Sequence, residues 1–264
     1  MPTVEINGTS VHYRIDGPGR GPVLMLAGSL ASDLTMWDAQ IPALTGAGYQ
    51  VLRYDSRGHG RSAAPPGPYT IEQLTEDALR LLDRRELDRV HFCGLSMGGM
   101  VGQMLGARHG DRLLSLSLCD TSAYMPPADL WDERIAAARE QGMAAVVDAT
   151  IDRWFTPAGQ SRLPDEVDKV RRMIANTAVE GYCASCAAIR DMDQRNSLAA
   201  IEVATLVVVG EQDPSTPVEA ARLIHERIAA SRLAVTPDAA HFVNVEQSTA
   251  FNAVLLDFLE SGRA

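Results

Sequence analysis

Cys93-Gly-Leu-Ser-Met-Gly-Gly-Met100 decides the fold. It places one serine among three glycines, directly after the apolar run Val90-His-Phe92 and before a stretch of small residues with helical spacing. Within it, Gly94-Leu-Ser-Met-Gly98 matches G-x-S-x-G, a pattern for a serine held on a sharp strand-to-helix turn. Small residues two before and two after the serine are needed because the turn brings strand and helix backbones together. The pattern is short, so its context matters. Here the expected strand (Val90–Cys93) precedes it and the expected helix (Met97–His109) follows.

Working outward, strands are expected at Val4–Ile6, Val11–Ile15, 22–27, Gln50–Tyr54, Leu113–Cys119, Thr205–Val209 and Arg232–Val235, with Asn7-Gly8 turning the first two. Helices are expected at Trp37–Leu44, Ile71–Leu87, Val218–Ile228 and Gln247–Leu259. Alternating strands and helices imply a parallel sheet built from crossover units. The alternation breaks between about residues 122 and 190, where only helical periodicity is found. The expected architecture is therefore an α/β fold. Residues 1–121 and 193–264 would form a mostly parallel eight-stranded core with helices on both faces, and 122–192 an inserted helical cap.

A serine hydroxyl needs a base, and the base needs an acid to orient it. His12 and His91 fall within strands, His59 in a turn, His109 at a helix end and His225 on a helix face. His241 alone follows the last strand and precedes the last helix. The acid is expected after Thr205–Val209, in Gly210-Glu-Gln-Asp-Pro-Ser-Thr-Pro217. Asp213 is the first choice and Asp120, after Leu113–Cys119, the other candidate. The order Ser96, Asp213, His241 is that of α/β-hydrolases. An oxyanion formed at Ser96 needs two aligned N–H donors. The Met97 amide is one. The other belongs to Ala27-Gly-Ser-Leu30, with Ser29 favoured and Leu30 the alternative.

Composition narrows the partners. A net charge of −10 over 264 residues disfavours nucleic acid. The N-terminus lacks the apolar core of a signal peptide, and no apolar run approaches the ~20 residues that span a bilayer. Four cysteines (Cys93, Cys119, Cys183, Cys186) in such a chain suit free thiols in a reducing cytoplasm. Cys183-Ala-Ser-Cys186 has redox or zinc spacing, but it has no second ligand pair nearby and lies in a helical stretch, so packing is its expected role. Arg57 and Ser62 are expected to brace loops. No pattern speaks to oligomeric state.

The chain resembles the 3-oxoadipate enol-lactonases of the α/β-hydrolase superfamily over nearly its whole length. The resemblance rests on Ser29–Leu44, Leu52–Gly60, His91–Met100 and Ala187–Asp193. More specific still are Met36-Trp-Asp-Ala-Gln40 and the cap stretches Trp131-Asp-Glu-Arg134 and Arg153-Trp-Phe-Thr-Pro157. It implies hydrolysis of an anionic enol lactone in aromatic catabolism, with no metal or cofactor. It further implies that Trp131, Arg134 and Trp154 contact the substrate. The chain departs from the family pattern at His241-Phe-Val-Asn244, at Tyr182-Cys-Ala-Ser-Cys186, at Ser122-Ala-Tyr-Met-Pro-Pro-Ala128, and at Ala27-Gly28, where His-Gly is usual. Two other readings use the same residues: a broad esterase, lactonase or perhydrolase, and a hydrolase-fold small-molecule receptor with little turnover.

Overall fold

The computed structural model describes residues 2–261. Eight strands form one sheet: β1 (Thr3–Ile6), β2 (Thr9–Asp16), β3 (Val23–Ala27), β4 (Gln50–Tyr54), β5 (Val90–Leu95), β6 (Leu113–Cys119), β7 (Thr205–Gly210) and β8 (Ser231–Thr236). Their order is β1-β2-β4-β3-β5-β6-β7-β8. The pairs β1–β2 and β2–β4 are antiparallel and all later pairs parallel. Every residue of β3, β5 and β7 is buried. That is why these strands read as continuous apolar runs rather than alternating ones: helices cover both faces.

The helices are α1 (Ile41–Gly46), α2 (Ile71–Arg84), α3 (Met97–Arg108), α4 (Ala128–Gln141), α5 (Ala144–Trp154), α6 (Pro157–Arg162), α7 (Pro164–Ala175), α8 (Val179–Asp191), α9 (Val218–Arg227), α10 (Val243–Glu246) and α11 (Ser248–Ser261). Helices α4 to α8 all lie between β6 and β7. The two ends of this helical segment meet: Tyr124 and Asp193 form an isolated bridge, and the Gln194 amide donates to the Ala123 carbonyl at 2.8 Å.

One helix expectation needs correction. Trp37–Leu44 is not one helix but a 3-10 turn, Leu34–Trp37, followed by α1. Pro42 has no N–H to donate to a preceding turn and sits in the first turn of α1, where none is needed. Asp33 caps the 3-10 turn through the Thr35 amide. The expected helix Gln247–Leu259 is α11, preceded by the short α10.

The parallel register sets the site. Ala27, Gly94, Leu118, Val207 and Leu233 stand abreast across β3, β5, β6, β7 and β8. Those strands therefore end at one edge of the sheet, and the loops leaving them converge there, as at the carboxyl edge of other parallel sheets. Arg57 braces the adjoining loop through a bidentate pair with Asp77 on α2 (2.5 and 2.6 Å). Ser62 ties the His12 amide to the Asp55 carbonyl. The small-residue helix α8 packs closely on the core. A side chain at Gly181 would collide with the Gly58 backbone, and one at Gly67 with Ala184. Cys183 and Cys186 are buried in that helix as free thiols, and burial pushes both up, Cys186 to about 12.

Candidate active site

Ser96 follows β5 with φ 56° and ψ −114°, a backbone conformation that side-chain-bearing residues rarely adopt. The surroundings enforce it. A Cβ on Gly94 would run into the Gly98 carbonyl, and one on Gly98 into the Ala27 carbonyl. The turn is pinned by three hydrogen bonds: Ser96 amide to Cys119 carbonyl (2.9 Å), Gly98 amide to Gly28 carbonyl (3.0 Å) and Thr121 hydroxyl to Ser96 carbonyl (2.8 Å). Met97 is the first residue of α3, so its amide has no acceptor within the helix.

His241 Nδ1 lies 2.8 Å from Asp213 Oδ2, with both side chains buried. Asp213 also accepts from the Thr216 hydroxyl (2.6 Å), the Ser215 amide (2.7 Å) and the Thr216 amide (3.1 Å). Burial alone would raise the Asp213 carboxyl. The positive charge and hydrogen bond of His241, with the Thr216 donors, outweigh it and hold the carboxyl below the usual carboxylate range. A carboxylate facing Nδ1 fixes the proton there and leaves Nε2 as the basic nitrogen.

Asp120 does not take that place. Its Oδ1 accepts from the Gly210 amide at 2.8 Å. Burial, reinforced by the nearby negative charge of Asp213, pushes this carboxyl well above the usual range. Of the two candidate acids, Asp213 is the one brought against His241.

Ser96 and His241 line one cavity of about 190 Å³, the concave setting in which small molecules bind. The Ser29–Ala31 turn lines it as well. The Ser29 amide is turned toward Met36 Sδ at 3.4 Å, a weak acceptor. The opposite wall comes from α4, α5 and α8. It includes all three residues singled out in this segment, Trp131, Arg134 and Trp154, and two that sequence reasoning passed over, Arg153 and Tyr182. Arg153 stood beside Trp154 in a stretch already noted; its turn toward the cavity depends on how α5 packs, which periodicity leaves open.

The wall is electropositive. Arg134 lies over the Trp131 ring, 4.5 Å from its centroid, and Arg153 donates to the Thr150 hydroxyl at 3.2 Å. Among the described residues neither guanidinium is ion-paired. Burial and the charge of Arg134 push Arg153 down, to about 10. An anion in the cavity would relieve that repulsion. Trp154 stacks on Phe242 (4.2 Å, 10° between planes) and lies 6.3 Å from the His241 ring.

Comparison with known proteins agrees with the fold. Residues 21–248 match the family described as alpha/beta hydrolase fold. The chain is 37% identical over 250 residues to 3-oxoadipate enol-lactonase 2 of Acinetobacter baylyi, covering 95% of this chain and 93% of that protein. Its fold superposes on the enol-lactonase of Burkholderia xenovorans LB400 with a TM-score of 0.96 at 43% identity, over 98% of this chain and 100% of the other. A thermophilic esterase from Thermogutta terrifontis, described as malate bound, gives 0.92 at 28% identity, over 99% and 97% of the two chains.

Proposed function

Since the chain belongs to the α/β-hydrolase fold family and is an ester or lactone hydrolase, we propose that Ser96, His241 and Asp213 form its catalytic triad and that residues 122–192 are the cap that selects the substrate. The observation that carries this reading is the 2.8 Å contact between His241 Nδ1 and Asp213, at a cavity shared by His241 and a serine on a strained turn.

In the proposed reaction His241 Nε2 takes the Ser96 proton as Oγ attacks the lactone carbonyl. The oxyanion is held by the Met97 amide and by the Ser29 amide, which exchanges Met36 Sδ for a stronger acceptor; Leu30 is the other donor within reach of that turn. Collapse breaks the ring C–O bond and expels an enolate, which takes the proton from His241 and ketonises. Water, deprotonated by His241, then attacks the acyl-serine. Collapse of that second intermediate releases a carboxylic acid and returns the proton to Ser96.

We further propose that the substrate is an anionic enol lactone, 3-oxoadipate enol-lactone first among them. Two relatives bear that activity in their names, and Arg134 and Arg153 supply two uncompensated cations where a carboxylate arm would lie. Hydrolysis leaves a second carboxylate, so the product is a dianion. On this reading the enzyme serves catabolism of aromatic compounds. Free cysteines fit a cytoplasmic setting, and among the described residues no helix is long and apolar enough to cross a membrane.

The test compares wild type with Ser96→Ala on the enol lactone and on neutral esters. Loss of turnover by several orders of magnitude, with wild type favouring the anionic lactone, supports the reading. Retained turnover in Ser96→Ala overturns the triad. Equal kcat/KM for neutral esters overturns the substrate class and favours a broad esterase.

A further inference from the structure

Glu246 is buried five residues beyond His241, and its two side-chain oxygens join parts of the chain that are far apart in sequence. Oε1 accepts from the Thr156 amide (3.0 Å) and the Thr156 hydroxyl (2.5 Å), at the start of α6. Oε2 accepts from the Ala240 amide (2.8 Å), the residue immediately before His241. On the other side of His241 the Phe242 amide donates to the Trp154 carbonyl at 2.9 Å. The Phe242 ring stacks on Trp154, itself a wall of the cavity. Arg162, at the end of α6, donates to the Glu246 carbonyl at 2.9 Å. Both backbone neighbours of His241 are thus fastened to residues 154–156 of the helical segment. Three of those five bonds are made by one side chain, which is not among the residues lining the cavity.

We propose that Glu246 is a positioning residue for His241: it latches the histidine loop to the cap, so that cap placement sets the aim of the imidazole at Ser96. This rests on the triad reading above. The histidine follows the edge strand β8, where only Thr236 is buried. The loop itself, Ala239–Val243, is buried and tied to the core by the Gln212 amide, which donates to the Ala239 carbonyl at 2.8 Å. The Glu246 bonds add a second anchor, to the segment over the cavity, and so link substrate enclosure to base alignment.

Glu246→Gln is the discriminating variant. Glutamine has one oxygen, and its NH2 group must face either the Ala240 amide or the Thr156 donors, so one half of the latch opens. Turnover of 4-nitrophenyl acetate is measured well below the melting temperature, together with the rate at which a fluorophosphonate labels Ser96. The latch predicts a fall in kcat of about tenfold to a hundredfold, an equal slowing of labelling, and little change in KM. Thr156→Val removes the cap-side hydroxyl, which also accepts from the Gly159 amide at 2.9 Å as the N-cap of α6. It keeps the reading testable if Glu246→Gln does not fold, and should show a smaller fall in kcat and labelling rate in the folded variant. A lowered melting temperature with wild-type kcat and labelling rate in the folded variants would make Glu246 a stability residue and overturn the proposal. Labelling and turnover that persist in Ser96→Ala would sink the triad reading instead, so the two failures are distinguishable.

Discussion

Asp120 and Asp213 occupy one buried corner of the sheet edge and are driven in opposite directions: His241 and Thr216 hold Asp213 low, while burial and Asp213's charge hold Asp120 high. The two shifts favour negative charge on the carboxyl that faces the imidazole. Asp120 accepts from the Gly210 amide at the root of the Asp213 loop.

A folded carboxyl raised above its unfolded value costs stability as pH climbs. Below the ordinary carboxylate value both states are protonated and there is no difference. Above it the unfolded chain ionises first, and the fold loses stability until its own carboxyl ionises. Asn at position 120 has no proton to lose. The melting temperature of Asp120→Asn relative to wild type should therefore rise between about pH 4 and pH 8; a flat difference across that range would mean that Asp120 is ionised in the fold.

Backbone strain at Ser96 yields a second expectation. Ser96→Ala and Ser96→Gly should both be inactive, but the glycine variant should melt higher. Glycine adopts φ near 56° without the penalty of about 1–3 kcal/mol that a Cβ incurs there. Differential scanning calorimetry of the two inactive proteins checks it.

Removing the guanidiniums should separate binding from chemistry. Arg153→Met and Arg134→Met should each raise KM for the anionic lactone by about tenfold or more, and leave kcat on a neutral ester near wild type. Because the two cations repel, the same substitutions should not lower the melting temperature of the free enzyme.

Thr216 donates to Asp213 Oδ2 at 2.6 Å. Thr216→Val should cost about 1.5–3 kcal/mol, as for other hydrogen bonds to a charged partner, and reduce kcat, while Thr216→Ser retains both. Asp213 is held low in the fold, so its contribution is present above the ordinary carboxylate range and lost as acid protonates it. The stability deficit of Thr216→Val should accordingly be full at neutral pH and shrink in acid, as followed by denaturant titration.

How much of this the sequence carries depends on the range of the interaction. Ser96 was legible because its constraint is local: two glycines, a strand and a helix adjoin it. Asp213 and His241 were legible because parallel strands place their following loops at one edge, whatever the side-chain packing. Arg153 and Tyr182 escaped notice because their relation to the cavity depends on how α5 and α8 rotate against the core, and several rotations share one periodicity. Glu246 was invisible for a stronger reason, since its partners include Thr156, ninety residues away, and no spacing rule joins them. The expected helix at Trp37–Leu44 differs for a local reason: Pro42 lies in the first turn of α1, so the helix begins at Ile41.

The bridge between Tyr124 and Asp193 has an evolutionary consequence. Five helices leave the sheet and return to it through two neighbouring residues, so β6 and β7 meet the same boundary whatever lies between. A segment hinged at one closed doorway can be lengthened, shortened or exchanged while the nucleophile turn keeps its geometry. Such an exchange must rebuild the tethers at the far end, among them the bonds from Thr156, Trp154 and Arg162 to the histidine loop.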